Sequence, residues 1–201
     1  MSVNRISSRD LDAGGWLPRL PQHTVPANLR AWLTETGSLT QRVRNACTPE
    51  QPFSLQLLRR GFAPAHRDEL PLLGTHDRAR VREILLKRGE TPLVFAHSVI
   101  SHRDLKGAWA MLDGIGGRSL GSVLFHDHRV VRGALHFRRI DARHPLFAKA
   151  LPWCGSTQFR EQPRELWARR AVFLRENRPL IVTEVFLPEV LERNTERNPA
   201  Q

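Results

Sequence analysis

The chain has 201 residues, 40% of them hydrophobic and 25% charged, with a mean hydropathy of −0.40; this composition fits one folded domain and excludes disordered and fibrous classes. Such a length buries about 70% of its unfolded surface and needs no disulfide or metal to hold a core, and two cysteines, Cys47 and Cys154, exclude a disulfide framework. No apolar run approaches the ~20 residues of a membrane span and the first ten residues lack a signal-peptide core, so a cytoplasmic protein with reduced thiols is expected.

The formal net charge is +11, from 31 basic against 20 acidic residues, and only Lys87, Lys106 and Lys149 are lysines. Such a surplus attracts anions. A nucleic-acid binder concentrates charge on one element and interleaves aromatics. Here the arginines fall in scattered pairs (Arg59-Arg60, Arg138-Arg139, Arg169-Arg170), tyrosine is absent and aromatics total 7%. A small anionic ligand fits this pattern better, and no nucleic-acid or membrane partner is expected.

Residues 1–26 carry Gly14-Gly15, Pro18, Pro21 and Pro26 and read as an irregular N-terminal arm. Ala27 to Thr34 places Leu29, Trp32 and Leu33 at helical spacing. Ser38-Leu39-Thr40-Gln41 has the pattern of a capping box and opens a second short helix. Phe53 to Phe62 alternates as a strand. Arg78 to Lys87 and Pro92 to Ile100 read as two further strands, with Arg88-Gly89-Glu90 as the hairpin turn between them. Ser101-His102-Arg103-Asp104 predicts a helix cap, with the helix running through Leu112 to a stop at Gly114. Ser119 to Phe125 reads as one short helix and Arg129 to Ile140 as a strand. Leu166 to Arg175 and Pro179 to Leu187 make a second hairpin around Glu176-Asn177-Arg178, Pro188 ends it, and 189–201 is a polar tail. Short turns imply antiparallel pairing. The prediction is an α+β single domain over 27–188, with one antiparallel sheet of five to six strands and helices packed on one side.

The most informative segment is Pro179-Leu-Ile-Val-Thr-Glu-Val-Phe-Leu-Pro188. Alternate strand residues share a face, so Glu184 points with Leu180, Val182 and Phe186. A carboxylate on an apolar face is paired, protonated or in contact with a polar ligand. The alternatives are a solvated edge position or a structural ion pair with an arginine. Arg82 shares a face with Ile84 and Leu86, while Glu83 lies with Val81 and Leu85, so alternation alone does not say which face is buried. An arginine fork suits a carboxylate ligand. His126-Asp127-His128 has no third metal ligand near it in sequence. Gly114-Ile-Gly116-Gly117-Arg-Ser-Leu-Gly121 follows a predicted helix rather than a strand and lacks the Lys-Ser/Thr of a phosphate loop. No serine or cysteine sits in a nucleophile elbow.

Several segments occurring in order carry a family resemblance: Trp32-Leu-Thr-Glu-Thr-Gly-Ser-Leu-Thr-Gln-Arg42, Arg60-Gly-Phe62, Glu69-Leu-Pro-Leu-Leu73, Arg82-Glu-Ile-Leu-Leu86, Ser119-Leu-Gly-Ser-Val-Leu-Phe125, Leu166-Trp-Ala-Arg-Arg170 and Pro179 to Pro188. Over about residues 27–188 the chain resembles the chorismate pyruvate-lyase family, which opens bacterial ubiquinone synthesis. The resemblance implies that chorismate becomes 4-hydroxybenzoate plus pyruvate, with no cofactor and no metal, in a protein expected to be a monomer. It further implies that Arg82 grips the ring carboxylate and that the backbone amides at Leu39 and Leu120 help to hold the ligand. Glu184 then takes the ring hydroxyl, and Arg169 or Arg170 is a candidate for the enolpyruvyl carboxylate. The alternative is a non-catalytic effector-binding domain similar to the ligand domain of GntR-type transcription regulators. The 26 residues before the first predicted helix are too few for the DNA-binding domain such regulators carry.

Overall fold

The computed structural model describes residues 6–12, 14–21, 23–74, 78–155 and 162–191. In chain order the elements are α1 (Ser8–Asp12), α2 (Ala27–Leu33), α3 (Leu39–Asn45), β1 (Phe53–Ala63), α4 (Leu70–Leu73), β2 (Ala79–Arg88), β3 (Thr91–Ser101) and α5 (His102–Leu105). Then follow α6 (Gly121–Leu124), β4 (Val130–Arg132), β5 (His136–Asp141), α7 (Pro145–Ala150), β6 (Glu165–Arg175) and β7 (Arg178–Phe186). All the strands join one antiparallel sheet in the order β1-β2-β3-β7-β6, with β4 and β5 placed one after the other along the outer edge of β6.

Two tight hairpins set the register. Arg88 pairs with Thr91 across Gly89-Glu90, and Gly89 takes φ +55°, the position that requires glycine in a type II′ turn. Arg175 pairs with Arg178 across Glu176 and Asn177, both at positive φ (52° and 59°), which is a type I′ turn. The twist of these turns matches that of the strands, so neither hairpin splays.

The class is the expected α+β, with seven strands rather than five to six. The helices cover both faces rather than one. Leu29 and Leu33 of α2 and Leu39 and Val43 of α3 pack on Ile84, Leu86, Ala96 and Phe186, on what we term the front face. Leu146, Phe147 and Ala150 of α7 pack with Trp16 on Leu85, Phe95 and Val185, the next residues along the same strands and therefore the back face. Leu72 and Leu73 of α4 cover Val81, Val99 and Ile181 on the back as well. Double coverage is why β3 reads as a nearly continuous apolar run.

Three local expectations change. The strand predicted over 129–140 is broken at Gly133, whose N–H still donates to Val172 O (2.8 Å) while any Cβ there would lie 3.1 Å from that oxygen. The helix predicted from Ser101 to Leu112 is the four-residue α5 followed by a separate 3₁₀ turn at Ala110–Leu112. Ser101 gives it no side-chain cap, and the Trp109 N–H reaches back to Asp104 O (3.0 Å) in a wide turn that lets the indole bury. Ser38 does cap α3, accepting from Gln41 N at 3.3 Å, but Gln41 Nε2 bonds Asn45 instead of completing the box. Within the segment read as an irregular arm lie α1 and Trp16, which is fully buried and pairs through Leu17 with Phe137. Most of the predicted polar tail, 192–201, lies outside the described residues. Among the described residues no helix is long and apolar enough to cross a membrane.

Candidate active site

The front face carries a cavity of about 620 Å³, counting its open mouth. Its floor is the sheet and its roof is made by two segments, Gly37 to Thr40 at the start of α3 and Ser119 to Phe125 around α6. The roof segments touch: the hydroxyls of Thr40 and Ser119 lie 2.7 Å apart, and a Cβ on Gly121 would sit 2.9 Å from Ser38 Oγ. A glycine is needed at 121 for this close approach. Arg82, Leu39, Leu120 and Glu184, read from four separated stretches of sequence, all line this one cavity.

Arg82 stands on β2 and Glu184 on β7, with β3 between them. Arg82 pairs with Ser98 and Ala96 pairs with Glu184, so the two charged residues are also two positions apart along the strands. Their backbones are therefore about 12 Å apart, and both side chains rise from the same face. Arg82 Nη2 donates to the carbonyls of Arg118 (2.7 Å) and Gly116 (3.3 Å), while Nε is buried with no hydrogen-bond partner. The glycine segment thus serves the site by presenting carbonyls to Arg82. Burial, and secondarily the charge of Arg60, pushes the guanidinium down to about 10, so it stays charged at neutral pH.

Glu184 Oε2 accepts from Arg169 Nε at 2.5 Å. Arg169 is itself buried and donates through Nη1 to the carbonyls of Trp32, Leu33 and Glu35 (3.2, 3.2 and 2.6 Å), at the C-terminal end of α2. The carbonyls of Trp32 and Leu33, in the last turn of α2, lack partners inside the helix and carry its negative dipole end, and with Glu35 O just beyond they hold the cation in place. The ion pair that sequence left as one alternative for Glu184 is present, and the carboxylate still faces the cavity. Leu39 is the first residue of α3, where backbone N–H groups have no acceptor in the helix, and Leu120 occupies the N-cap position of α6.

Arg169 and Arg170 separate as strand neighbours must. Arg169 lines the cavity, whereas Arg170 lies on the back face, donating to Thr183 Oγ1 (3.0 Å) and to Asp68 Oδ2 (2.9 Å) beneath the Trp16 ring. The arginine that sequence reading missed is Arg132, on the edge strand β4. Its Nη1 donates to Thr36 O and its Nε is buried without a partner. Burial and then the nearby Arg169 lower its pKa. The only sequence sign was an arginine alternating with Val130 just before Gly133. The cavity therefore holds three guanidinium groups against the Glu184 carboxylate, an excess suited to a dianion. His126 and His128 are exposed after α6, and the Asp127 carboxylate between them is taken by Arg129 and Arg175.

Comparison with known proteins gives the family of the chain. The family model described as chorismate lyase matches residues 11–196. A relative from Nitrosospira multiformis named "Probable chorismate pyruvate-lyase" is 42% identical over 176 residues, covering 85% of this chain and 94% of its own. One of the same name from Aromatoleum aromaticum is 42% identical over 182 residues, covering 90% and 95%. Among solved structures, the C-terminal domain of histidine utilization repressor from Pseudomonas syringae pv. tomato superposes with a TM-score of 0.50 at 11% identity, over 74% of this chain and 99% of its own, a likeness of fold alone. With a family match across most of its length and relatives at this identity, the chain belongs to the chorismate lyase family.

Proposed function

We propose that the protein is a lyase that converts chorismate to 4-hydroxybenzoate and pyruvate, the first committed step of ubiquinone biosynthesis, using only its own side chains. The single observation that carries this reading is that Arg82 and Glu184 line one front-face cavity from backbones about 12 Å apart on the same face of the sheet. A para-substituted ring acid with a hydroxyl spans these two groups. The ring carboxylate meets Arg82 and the amides at Leu39 and Leu120, and the ring hydroxyl meets Glu184. The second carboxylate, on the enolpyruvyl group, is left for the cation at the cavity edge, Arg132, because Arg169 is already committed to Glu184 and the α2 carbonyls.

In the reaction the hydrogen on the hydroxyl-bearing ring carbon departs as a proton while the neighbouring C–O bond breaks. The electron pair of the C–H bond completes the aromatic ring. The departing enolpyruvate oxygen takes the pair of the C–O bond, and protonation of its methylene yields pyruvate. Aromatisation supplies the driving force, so the protein has to fix geometry and stabilise charge on the leaving group. Arg132 and Arg169 supply positive potential there. Glu184, paired with Arg169, orients the hydroxyl and is placed to assist the proton. The test is incubation with chorismate and quantification of both products. Formation of 4-hydroxybenzoate and pyruvate in equal amounts, well above the uncatalysed rate, is the expected result. Binding of chorismate without turnover would overturn the proposal in favour of an effector-binding domain.

A further inference from the structure

Behind the sheet, on the face turned away from the cavity, three side chains converge. His97 of β3 pairs with Glu83 of β2, and its Nδ1 lies 3.1 Å from Glu83 Oε1. Lys149 Nζ holds that same carboxylate oxygen at 2.5 Å, so Glu83 is an ionised acceptor and Nδ1 carries the hydrogen. The other nitrogen, Nε2, then faces Glu69 Oε1 at 3.2 Å, and neither atom makes a hydrogen bond. The third member is His66, whose ring stacks on that of His97 with centroids 4.8 Å apart. Its Nδ1 is also buried without a hydrogen bond, 3.4 Å from Glu69 Oε2, an oxygen already accepting the His66 backbone N–H at 2.8 Å.

Three lone-pair atoms are thus gathered, no two of them more than 4.8 Å apart. Protons on His97 Nε2 and His66 Nδ1 would pair each ring with one Glu69 oxygen across 3.2 and 3.4 Å, longer than a charge-assisted hydrogen bond prefers, with Arg170 Nη2 a further 3.9 Å from Oε1. A single divalent cation serves all three. Ligands about 2.0–2.2 Å from a tetrahedral metal lie roughly 3.3 Å from one another. The His97–Glu69 separation of 3.2 Å already meets this, and His66 Nδ1 lies 3.4 Å from the other Glu69 oxygen. The Glu83–His97 hydrogen bond is the carboxylate support that metal-bound imidazoles use to fix tautomer and orientation. Glu69 and His97 are sealed while the His66 ring remains partly exposed, so His66 is the member nearest solvent.

We propose that His66, Glu69 and His97 form a binding site for a zinc-class divalent transition metal, with a structural role on the back of the sheet. The metal would tie the chain ahead of α4 to the β2–β3 hairpin without touching the cavity. The test uses the full-length protein stripped with chelator, titrated with Zn²⁺ and, for a visible ligand-field spectrum, with Co²⁺. Expected are one equivalent bound per chain, a tetrahedral-type Co²⁺ absorption, and a melting rise of roughly 5–10 °C at a hundred times Kd. His66→Ala sits at the open side of the site and should abolish all three, while His66→Cys, which offers a thiolate, should restore binding. Chorismate turnover should be the same with and without metal. Absence of binding at about a hundred micromolar Zn²⁺, a typical weak-site limit, or binding undiminished in His66→Ala, would overturn the proposal. The first result would leave His97 as an imidazolium between two carboxylates, and the second would place the metal on other histidines.

Discussion

At the scale of single residues, the guanidinium groups that line the cavity differ in what else they hold. Arg82 keeps one unpartnered donor for ligand and spends another on the carbonyls of Gly116 and Arg118. Arg82→Lys loses the planar fork and one charge-assisted hydrogen bond, worth about 1.5–3 kcal/mol. We therefore expect kcat/KM for chorismate to fall about 10–150-fold; steady-state kinetics within twofold of wild type would remove Arg82 from the site. Arg132 offers a sharper split. If it binds the carboxylate that only the substrate has, Arg132→Gln should raise the KM for chorismate by about tenfold or more. Calorimetry should then find the affinity for 4-hydroxybenzoate nearly unchanged, and a parallel loss of both would assign Arg132 to general electrostatics. Sequence exposed Arg82 and Glu184 through their places on apolar strand faces, but it could not show which partner neutralised Glu184. The α2 carbonyls that hold Arg169 are more than 130 residues away along the chain, and no local pattern encodes such a contact.

At the scale of elements, the roof depends on close contact between the starts of α3 and α6. Gly121→Ala would press a Cβ to within 2.9 Å of Ser38 Oγ, the oxygen that caps α3. Relief requires Ser38 to rotate off the Gln41 amide, and losing such a cap costs about 1 kcal/mol. A fall of a few degrees in melting temperature together with weaker chorismate binding is expected. Binding and stability equal to wild type would show that the roof accommodates the methyl elsewhere. The hairpins were legible because Gly89 and Asn177 carry the backbone preferences of their turns. The helix expected through Leu112 was not, because burial of Trp109 outweighs local helical spacing and ends α5 after one turn. Likewise the strand over 129–140 contains enough β-branched and apolar residues to read as continuous, and only the closeness of Val172 O at Gly133 shows the break.

At the scale of the molecule, one sheet separates two polar regions by strand alternation. The front carries the cavity. The back carries Asp68, Glu69, Glu83, His97, His144 and Arg170 as a buried network under Trp16 and α7. Burial alone would raise the Asp68 carboxyl, but hydrogen bonds from His144 and Trp16 and the charge of Arg170 outweigh it and hold the group well below the usual range. Removing Arg170 leaves that carboxylate buried and uncompensated, which costs about 3–5 kcal/mol. Arg170→Met should therefore lower the melting temperature by roughly 6–20 °C while chorismate turnover by the folded protein at 25 °C stays within about twofold. Lost turnover with unchanged melting would contradict the division between faces. Periodicity revealed that each strand has two faces, but it could not tell that both are covered. That fact emerges only when α4 and α7 fold over the back.

The most direct test of a cavity anchored by Arg82 at one end and Glu184 at the other compares two ligands that differ in a single charge. 4-Hydroxybenzoate retains both a ring carboxylate and a para hydroxyl, whereas 4-hydroxybenzamide retains the hydroxyl and the shape but cannot pair with a guanidinium. At a hundred times its Kd a ligand stabilises the native state by about 2.7 kcal/mol, which for a domain of this size is roughly 5–10 °C in melting temperature. Thermal denaturation with each ligand at equal concentration should show that shift for the acid and a much smaller one for the amide, with the difference lost in Arg82→Gln, which removes the charge. Equal shifts from acid and amide, or none from either, would contradict the two-anchor site.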